Sequence, residues 1–373
     1  MMLFRYLRAC GDAAENHVVV SVMPRGPVAA LIDSLGVEVI DLGATGPAGM
    51  ARAAASLATL FVRRPPEVVH GWMYHGSLVA TLALALGRKS RVGLVWGIHH
   101  SLADPAREKL TTRAVLAALR GLASRADAIT YCSREAERQH AAFGLSADRA
   151  CFVPNAIDTD EFRPDPAAQA RLRQVAGVPE GRLIVGGIGR AHPMKDHAAF
   201  AQVIARLARR GVDAHGVLIG AGQPEGDAMR VAAAEGVADR LTALPARDDL
   251  PALVPGLDVY LLSSAWGEAL PLAVAEAMAA GVPAAVTDVG DCAWLVGPTG
   301  RVCPPGRPDL LAEAVQDLLL LSRDERAELS TACRSRIGQK MSMTQYVFRH
   351  AELYQVCRAR RHAMSPRIQR GAA

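Results

Sequence analysis

The sequence predicts an α/β protein of two doubly wound, Rossmann-like domains with parallel sheets, facing each other across a cleft. Three observations lead there. At 373 residues the chain is longer than one hydrophobic core comfortably serves. Short β-branched runs alternate with longer helical patterns from end to end, the rhythm of βαβ units with right-handed crossovers. Several of the runs are apolar without alternation, as strands covered on both faces are.

Taken in order, the opening MMLFRYLRAC sets Leu3, Phe4 and Leu7 at helical spacing. Strands are expected at 18–22, 37–41, 68–70, 92–96, 128–131 and 151–153, with a helix over 101–124 between two of them. Residues 155–180, preceded by Pro154 and broken by Pro164, Pro166 and Pro179, read as the inter-domain connection. The domains are drawn accordingly at 1–165 and 166–343. A second set of strands is expected at 183–188, 216–219, 241–244, 259–262, 283–287 and 301–303, with helices over 196–210 and 308–321. A last helix, 344–361, follows the completed second sheet and is expected to cross back onto the first domain. The basic tail from Arg361 is expected to be disordered.

Composition narrows the function classes. The formal charge of +5 is too weak and too dispersed for nucleic acid, and suits an anionic substrate or an acidic lipid surface. Seven cysteines form no CxxC pair and fall mostly in apolar segments, as reduced thiols of a cytoplasmic protein do. The start lacks the pattern of a secretory leader. The longest apolar run, 78–87, is too short to span a bilayer. A cytoplasmic location follows as the expectation, with at most a peripheral seat on the inner face of the membrane.

The stretch SAWGEALPLAVAEAMAAGVPAAVT, residues 264–287, carries the most chemistry. Proline is favoured at the start of a helix, so a helix is expected to begin near Pro271 with its unpaired N–H groups pointing outward. Glu268 lies just outside that end. Glu276 sits more than a turn inside, with Leu272 as its i−4 neighbour. A ligand with an anionic middle and two hydroxyl-bearing ends would meet the helix terminus and one carboxylate at each side. A nucleotide sugar has that layout. Upstream, LIVGGIGRAHPMKDH is a glycine-rich strand-to-helix turn in which Gly189 precedes Arg190 and Lys195. A guanidinium fork and a movable ammonium five residues apart suit a diphosphate. A second turn, Gly220-Ala221-Gly222, either lines the same cleft or is an ordinary tight βα turn.

Together these pieces resemble the retaining GT-B glycosyltransferases of the group 1, family four type. The resemblance rests on GIGRAHPMKDH, on EALPLAVAEAMAAGVP, on VPNAIDTDEF before the connection and on VTDVGD after the second glutamate. WMYH (72–75) and VWGIHHS (95–101) extend it through the first domain. It implies that Arg190 and Lys195 hold the donor diphosphate and stabilise the departing phosphate. Glu268 would bind hydroxyls of the donor sugar and Glu276 those of the ribose. Gly189, Gly220 and the backbone around Ala269, Leu270, Pro271 and Leu272 would line the donor. His100 matches the family's histidine near the donor sugar, and His75, read as ending the preceding strand, would face the acceptor. The resemblance implies no cofactor and no metal, the donor being a nucleoside-diphosphate sugar. The acceptor would be a glycan or lipid-linked saccharide of a lipopolysaccharide, capsule or exopolysaccharide.

The sequence also departs from the family. Ala269 and Ala156 stand where glycine is usual, which adds strain if either backbone needs a positive φ. Asp291 replaces a second common glycine. Family members begin with a strand and a Gly-Gly-x-Glu loop, whereas this sequence opens on a helical pattern. The first strand of the first domain is therefore expected to be missing, the natural product being longer or the copy damaged. Asp158-Thr159-Asp160 is a DxD, but its place in a turn reads as capping chemistry rather than a metal site.

Three other readings stand beside the transferase. They are a non-catalytic nucleotide-sugar-binding protein of the same fold, a sugar-nucleotide epimerase, and an NAD-dependent oxidoreductase. The last lacks GxGxxG followed by a ribose-binding acid. Arg107, Lys109, Arg113, Arg120 and Arg125, among apolar positions, give 101–125 a basic amphipathic pattern that fits either an anionic membrane face or a solvated helix.

Overall fold

A computed structural model describes residues 2–89 and 91–363. The expected disordered tail falls largely outside them. The polypeptide forms two compact units, residues 155–342 and the remainder, with the last helix belonging to the first unit. In chain order the first unit runs α1 (Met2–Cys10), β1 (Val18–Ser21), α2 (Pro27–Asp33), β2 (Glu38–Asp41), α3 (Gly46–Arg63), β3 (Val68–Trp72), α4 (Met73–Leu86), β4 (Gly93–Ile98), α5 (Leu110–Leu122), β5 (Ala128–Tyr131), α6 (Arg134–Phe143) and β6 (Ala150–Phe152). The second runs α7 (Ala168–Ala176), β7 (Leu183–Ile188), α8 (His197–Arg209), β8 (Ala214–Ile219), α9 (Asp227–Ala234), β9 (Leu241–Leu244), α10 (Leu250–Leu253), β10 (Val259–Leu262), α11 (Leu272–Ala279), β11 (Ala284–Thr287), α12 (Cys292–Val296), β12 (Arg301–Cys303), α13 (Pro308–Leu319) and α14 (Arg323–Met341). The chain then returns with α15 (Met343–Ala363).

The second unit is one parallel sheet ordered β12-β11-β10-β7-β8-β9. Its apolar strands feed two cores because successive side chains point to opposite faces. Ile184, Val217, Tyr260 and Ala284 turn to one core, where α11 and α14 pack through Val274, Met278, Ile337 and Met341. Val185, Leu218, Leu261 and Ala285 turn to the other, against Phe200 and Ile204 of α8 and Leu311 and Val315 of α13. That two-sided cover is the reason these runs show no polar alternation.

The division between units falls before Asn155, not after residue 165. Ile157 and Phe162 are buried in the second unit's core. The Arg334 guanidinium donates to the carbonyls of Thr159, Phe162 and Ala279, tying the segment to α11 and α14. The stretch read as a connection is therefore packed structure, and it contains α7.

The first unit holds two parallel sheets, β1-β2 and β3-β4-β5-β6. No strand ladder among the described residues joins β1 to β3. The strands beside that break are only partly buried, whereas β4 and β5 are buried throughout. Helices α3 and α4 pack together, and one core takes side chains from both sheets, Val20 from β1 and Val69 from β3 among them. On β3 and β4, α15 sets Tyr354 against His70 (Oη to Nδ1 2.9 Å) and His350 over the same ring (5.7 Å). Tyr6 of α1 packs on His350 and Tyr346. Arg361 reaches buried Asp127, which also accepts the Leu94 N–H.

The expected helix over 101–124 is shorter. Gln139 of α6 accepts the Ser101 hydroxyl and the Leu102 N–H, and Asp104 caps a single turn at Pro105. These tertiary bonds hold 99–109 as a loop, and α5 begins only at Leu110. Arg107 and Lys109 precede that helix, and Arg125 follows it.

His140 and His350 of the first unit are buried and His70 is half-buried, and all three rings are held neutral. His140 donates through Nδ1 to the Ala136 carbonyl (2.7 Å) and takes the Tyr74 hydroxyl on Nε2 (2.7 Å). Burial lowers His140 and His350 to about 4 and pushes His70 well down. Below about pH 6.5 the unfolded chain binds more protons than the folded one, so each group withdraws up to about 1.4 kcal/mol per pH unit. The loss levels off near pH 4, where the folded groups titrate. Melting temperature should therefore fall between about pH 6.5 and 4.5, and less steeply in His140→Gln. A flat profile across that window contradicts the assignment of these rings as neutral.

Candidate functional site

In the second unit the chain leaves β7 in one direction, to β8 and β9, and later returns to β10 on the other side of β7. The boundary between β7 and β10 is thus the topological switch point, where loops leaving adjacent strands part and open a crevice. The loops after β7 and β10 meet there. Tyr260 of β10 places its hydroxyl between the Ile188 N–H and carbonyl of β7 (3.2 Å each). Ala265 donates its N–H to the Met194 carbonyl at 2.8 Å, and the Ser263 hydroxyl donates to the Lys195 carbonyl at 3.0 Å.

These bonds bring Lys195 and Glu268 together. Lys195 Nζ lies 2.7 Å from Glu268 Oε1, and the Ser264 hydroxyl donates to the same oxygen at 2.6 Å. Glu268 is buried and Lys195 is 18% exposed, so the pair sits at the edge of solvent. One ammonium N–H points to Glu268, which leaves two for another acceptor. Gly189 adjoins the pair, since a Cβ there would lie 3.6 Å from Lys195 Cε. Arg190 is exposed on the same loop.

Two glycines are required by close approach. A Cβ at Gly220 would stand 2.0 Å from the Gly189 carbonyl oxygen, and one at Gly290 would stand 2.1 Å from the Glu268 carbonyl oxygen. Gly290 also has φ +58. The loop after β11 thereby braces the Glu268 segment, and Asp291 donates its N–H to the Ala269 carbonyl at 3.0 Å. Neither Ala269 nor Ala156 has a positive φ, so the strain considered for them is absent. Asp196 is the non-glycine residue of the second unit held in the left-handed region (φ +45); its side chain caps α8 by accepting the Ala199 N–H.

Pro271 is the residue before α11 rather than its first member, and α11 starts at Leu272. The first i→i−4 bond runs from Ala275 N–H to the Pro271 carbonyl, so the N–H groups of Leu272, Ala273 and Val274 have no partner within the helix. Leu270 and Pro271 are buried beneath that end and Leu272 is half-buried. Glu276, also half-buried, lies one turn further along α11. The negative charges of Glu268 and Glu276 both act on the buried Tyr260 hydroxyl, whose pKa rises chiefly through burial.

The two remaining candidates belong to the first unit. His100 follows β4 and pairs its Nε2 with Glu108 at 3.0 Å. His75 does not end a strand. β3 closes at Trp72, Met73 turns with φ +59, and His75 lies in the first turn of α4. The DxD oxygen Asp158 Oδ1 accepts the N–H groups of Asp160 and Glu161, both at 3.1 Å, a capping turn. Sequence reasoning missed Ser263, Tyr260 and Gln223, which act by tertiary hydrogen bonds that leave no local pattern, and Ser264, whose bond to Glu268 is local.

Comparison with known proteins gives two family matches, "Glycosyl transferases group 1" over residues 182–320 and "Glycosyltransferase Family 4" over 5–161. A 2-deoxystreptamine glucosyltransferase of Streptomyces kanamyceticus is 35% identical over 175 residues, 45% of this chain and 44% of that protein. A GDP-mannose-dependent alpha-(1-6)-phosphatidylinositol monomannoside mannosyltransferase of Mycolicibacterium smegmatis is 33% identical over 214 residues, 54% of this chain and 55% of its own. The chain thus spans about half the length of the curated relatives it matches. Among solved structures, a glycosyltransferase of Rickettsia africae superposes with TM-score 0.82 at 15% identity, covering 95% of this chain and 94% of that one. HepE of Anabaena in complex with UDP and glucose gives TM-score 0.79 at 19% identity, covering 95% of each chain. The fold is that of the GT-B glycosyltransferases. With one family match in each unit, the chain belongs to the group 1, family 4 glycosyltransferases.

Proposed function

We propose that the protein transfers a sugar, with retention, from a nucleoside-diphosphate sugar to a glycan or lipid-linked acceptor in cell-surface polysaccharide synthesis. The observation that carries this reading is the meeting of Lys195 and Glu268 at the switch point of the second unit's sheet. Arg190, Lys195 and the free N–H groups of α11 take the diphosphate, Glu276 the ribose and Glu268 the transferred sugar. A sugar leaving a diphosphate passes through an oxocarbenium-like state, so catalysis consists mainly of stabilising charge on the departing phosphate. In the retaining course the acceptor hydroxyl attacks from the leaving-group face and the phosphate takes its proton. Glu268 needs no nucleophilic role. His75 and His100 of the first unit serve the acceptor side and the donor sugar respectively. The mannosyltransferase relative is named as GDP-mannose-dependent, and the Anabaena structure holds UDP, so both bases are candidates.

Calorimetry against UDP-, GDP- and ADP-sugars tests the donor. Lys195→Ala should lower kcat/KM by about a hundredfold or more. Glu276→Lys should weaken all donors together, whereas the loss in Glu268→Gln should depend on the sugar. A uniform loss at Glu268 contradicts its role.

We further propose that turnover needs no metal, since Arg190, Lys195 and the α11 terminus supply the positive charge. Activity should survive a chelator, and the product should keep the donor's anomeric configuration by NMR. An inverted product, or activity lost on chelation and restored by a divalent ion, overturns the mechanism.

A peripheral membrane seat on the first unit completes the proposal. The exposed face of α5 lines a cavity of about 680 Å³ with Leu110, Ala114, Ala117 and Phe143, and Arg113 and Arg120 flank it. Leu110 is 77% exposed. Apolar contact beside paired cations suits an anionic bilayer. Phosphatidylglycerol vesicles should carry the protein in flotation, and Arg113→Glu/Arg120→Glu should release it. Equal flotation of the variant rejects this surface.

A further inference from the structure

We infer that Gln223 is a positioning residue that fixes the cation-bearing loop after β7. The inference rests on the donor-site reading above and adds to it a side chain that touches no substrate atom. Gln223 follows β8 and is wholly buried. Its Nε2 lies 2.7 Å from the Gly189 carbonyl and 3.0 Å from His197 Nδ1. One amide hydrogen goes to the Gly189 carbonyl, and the nitrogen lies over the His197 ring, 3.4 Å from its Nε2 as well. Turning the amide over would set its oxygen against the Gly189 carbonyl oxygen, so that contact fixes its orientation.

Burial and the Lys195 charge lower His197 to about 4, so the ring beside Gln223 is neutral at neutral pH. The Gln223 Oε1 meanwhile is buried without a hydrogen-bond partner. A buried unmade acceptor is destabilising, and an apolar side chain of the same shape would avoid it. Folding alone therefore does not account for an amide here. Its N–H side does.

What that side holds is the base of the diphosphate loop. The Gly189 N–H goes to the Ile219 carbonyl (3.0 Å) and the Ala191 N–H to the Ala221 carbonyl (2.8 Å). With the Gln223 bond on the Gly189 carbonyl, both peptide groups flanking Arg190 are anchored to the turn after β8. Lys195 runs past the Gly189 Cα on its way to Glu268. A shift of the Gly189 carbonyl accordingly displaces Arg190 directly and removes the surface beside Lys195. A catalytic cation misplaced by a fraction of an ångström loses much of its effect.

A double-mutant cycle tests this with UDP and GDP as the probes, measuring Kd by calorimetry for Gln223→Leu, Arg190→Ala and the double variant. Gln223→Leu should weaken the tighter-binding diphosphate about tenfold in the parent and about threefold or less in the Arg190→Ala background, a non-additivity expected of residues acting through one another. Gln223→Met, flexible and unable to donate, should behave alike and serves if the leucine variant does not fold. Equal losses in both backgrounds, or no loss in a folded variant, overturn the positioning role while leaving the donor site intact. If Arg190→Ala and Lys195→Ala both bind UDP and GDP as the parent does, the donor-site reading fails and the inference with it.

Discussion

Everything at the candidate site depends on one contact, the Lys195–Glu268 ion pair at the parting of β7 and β10. A largely desolvated pair of this kind contributes little net stability, because taking both charges from water offsets most of their attraction. It persists here because Ser264 supplies a further hydrogen bond to the carboxylate and because backbone bonds from Ala265 and a hydroxyl bond from Ser263 hold the two loops in register. The consequence is preorganisation. The ammonium is fixed before any ligand arrives, with donors to spare, and the glutamate is held where a hydroxyl-bearing group would meet it.

That arrangement is a property of strand order more than of any single motif. β7 opens the second unit's sheet and ends up in its middle, so the loops that follow β7, β8, β10 and β11 converge at the carboxyl ends of four neighbouring strands. Glycine stands where those loops touch, at 220 against residue 189 and at 290 against residue 268. Each loop thus serves as the wall for the next. Residues far apart in sequence become one rigid surface without a disulfide or an ordered extra domain.

Much of this was legible in the sequence. LIVGGI reads as a strand without alternation because its side chains divide between two cores, Ile184 on one face and Val185 on the other. The helix after Pro271 and the loop carrying Arg190 and Lys195 follow from local residue preferences. Legibility ended where tertiary bonds overrule local pattern. Gln139 unwinds the residues before Leu110, Met73 turns His75 into a helix, and Arg334 draws 155–165 into the second unit. No periodicity announces a hydrogen bond from a residue thirty or more positions away, and for the same reason Ser263 and Gln223 stayed invisible.

The interrupted sheet of the first unit carries a consequence of its own. Two sheets present four lateral margins where one continuous sheet would present two. A margin of bare peptide groups is a template on which a foreign chain can zip, and nature usually blunts it with lysine, proline or a bulge. β1 offers VVVS, three β-branched valines and a serine, uncharged and without any such guard. That margin is where an extended foreign strand would add to the first unit, and a lysine on the outward side of β1 would block it.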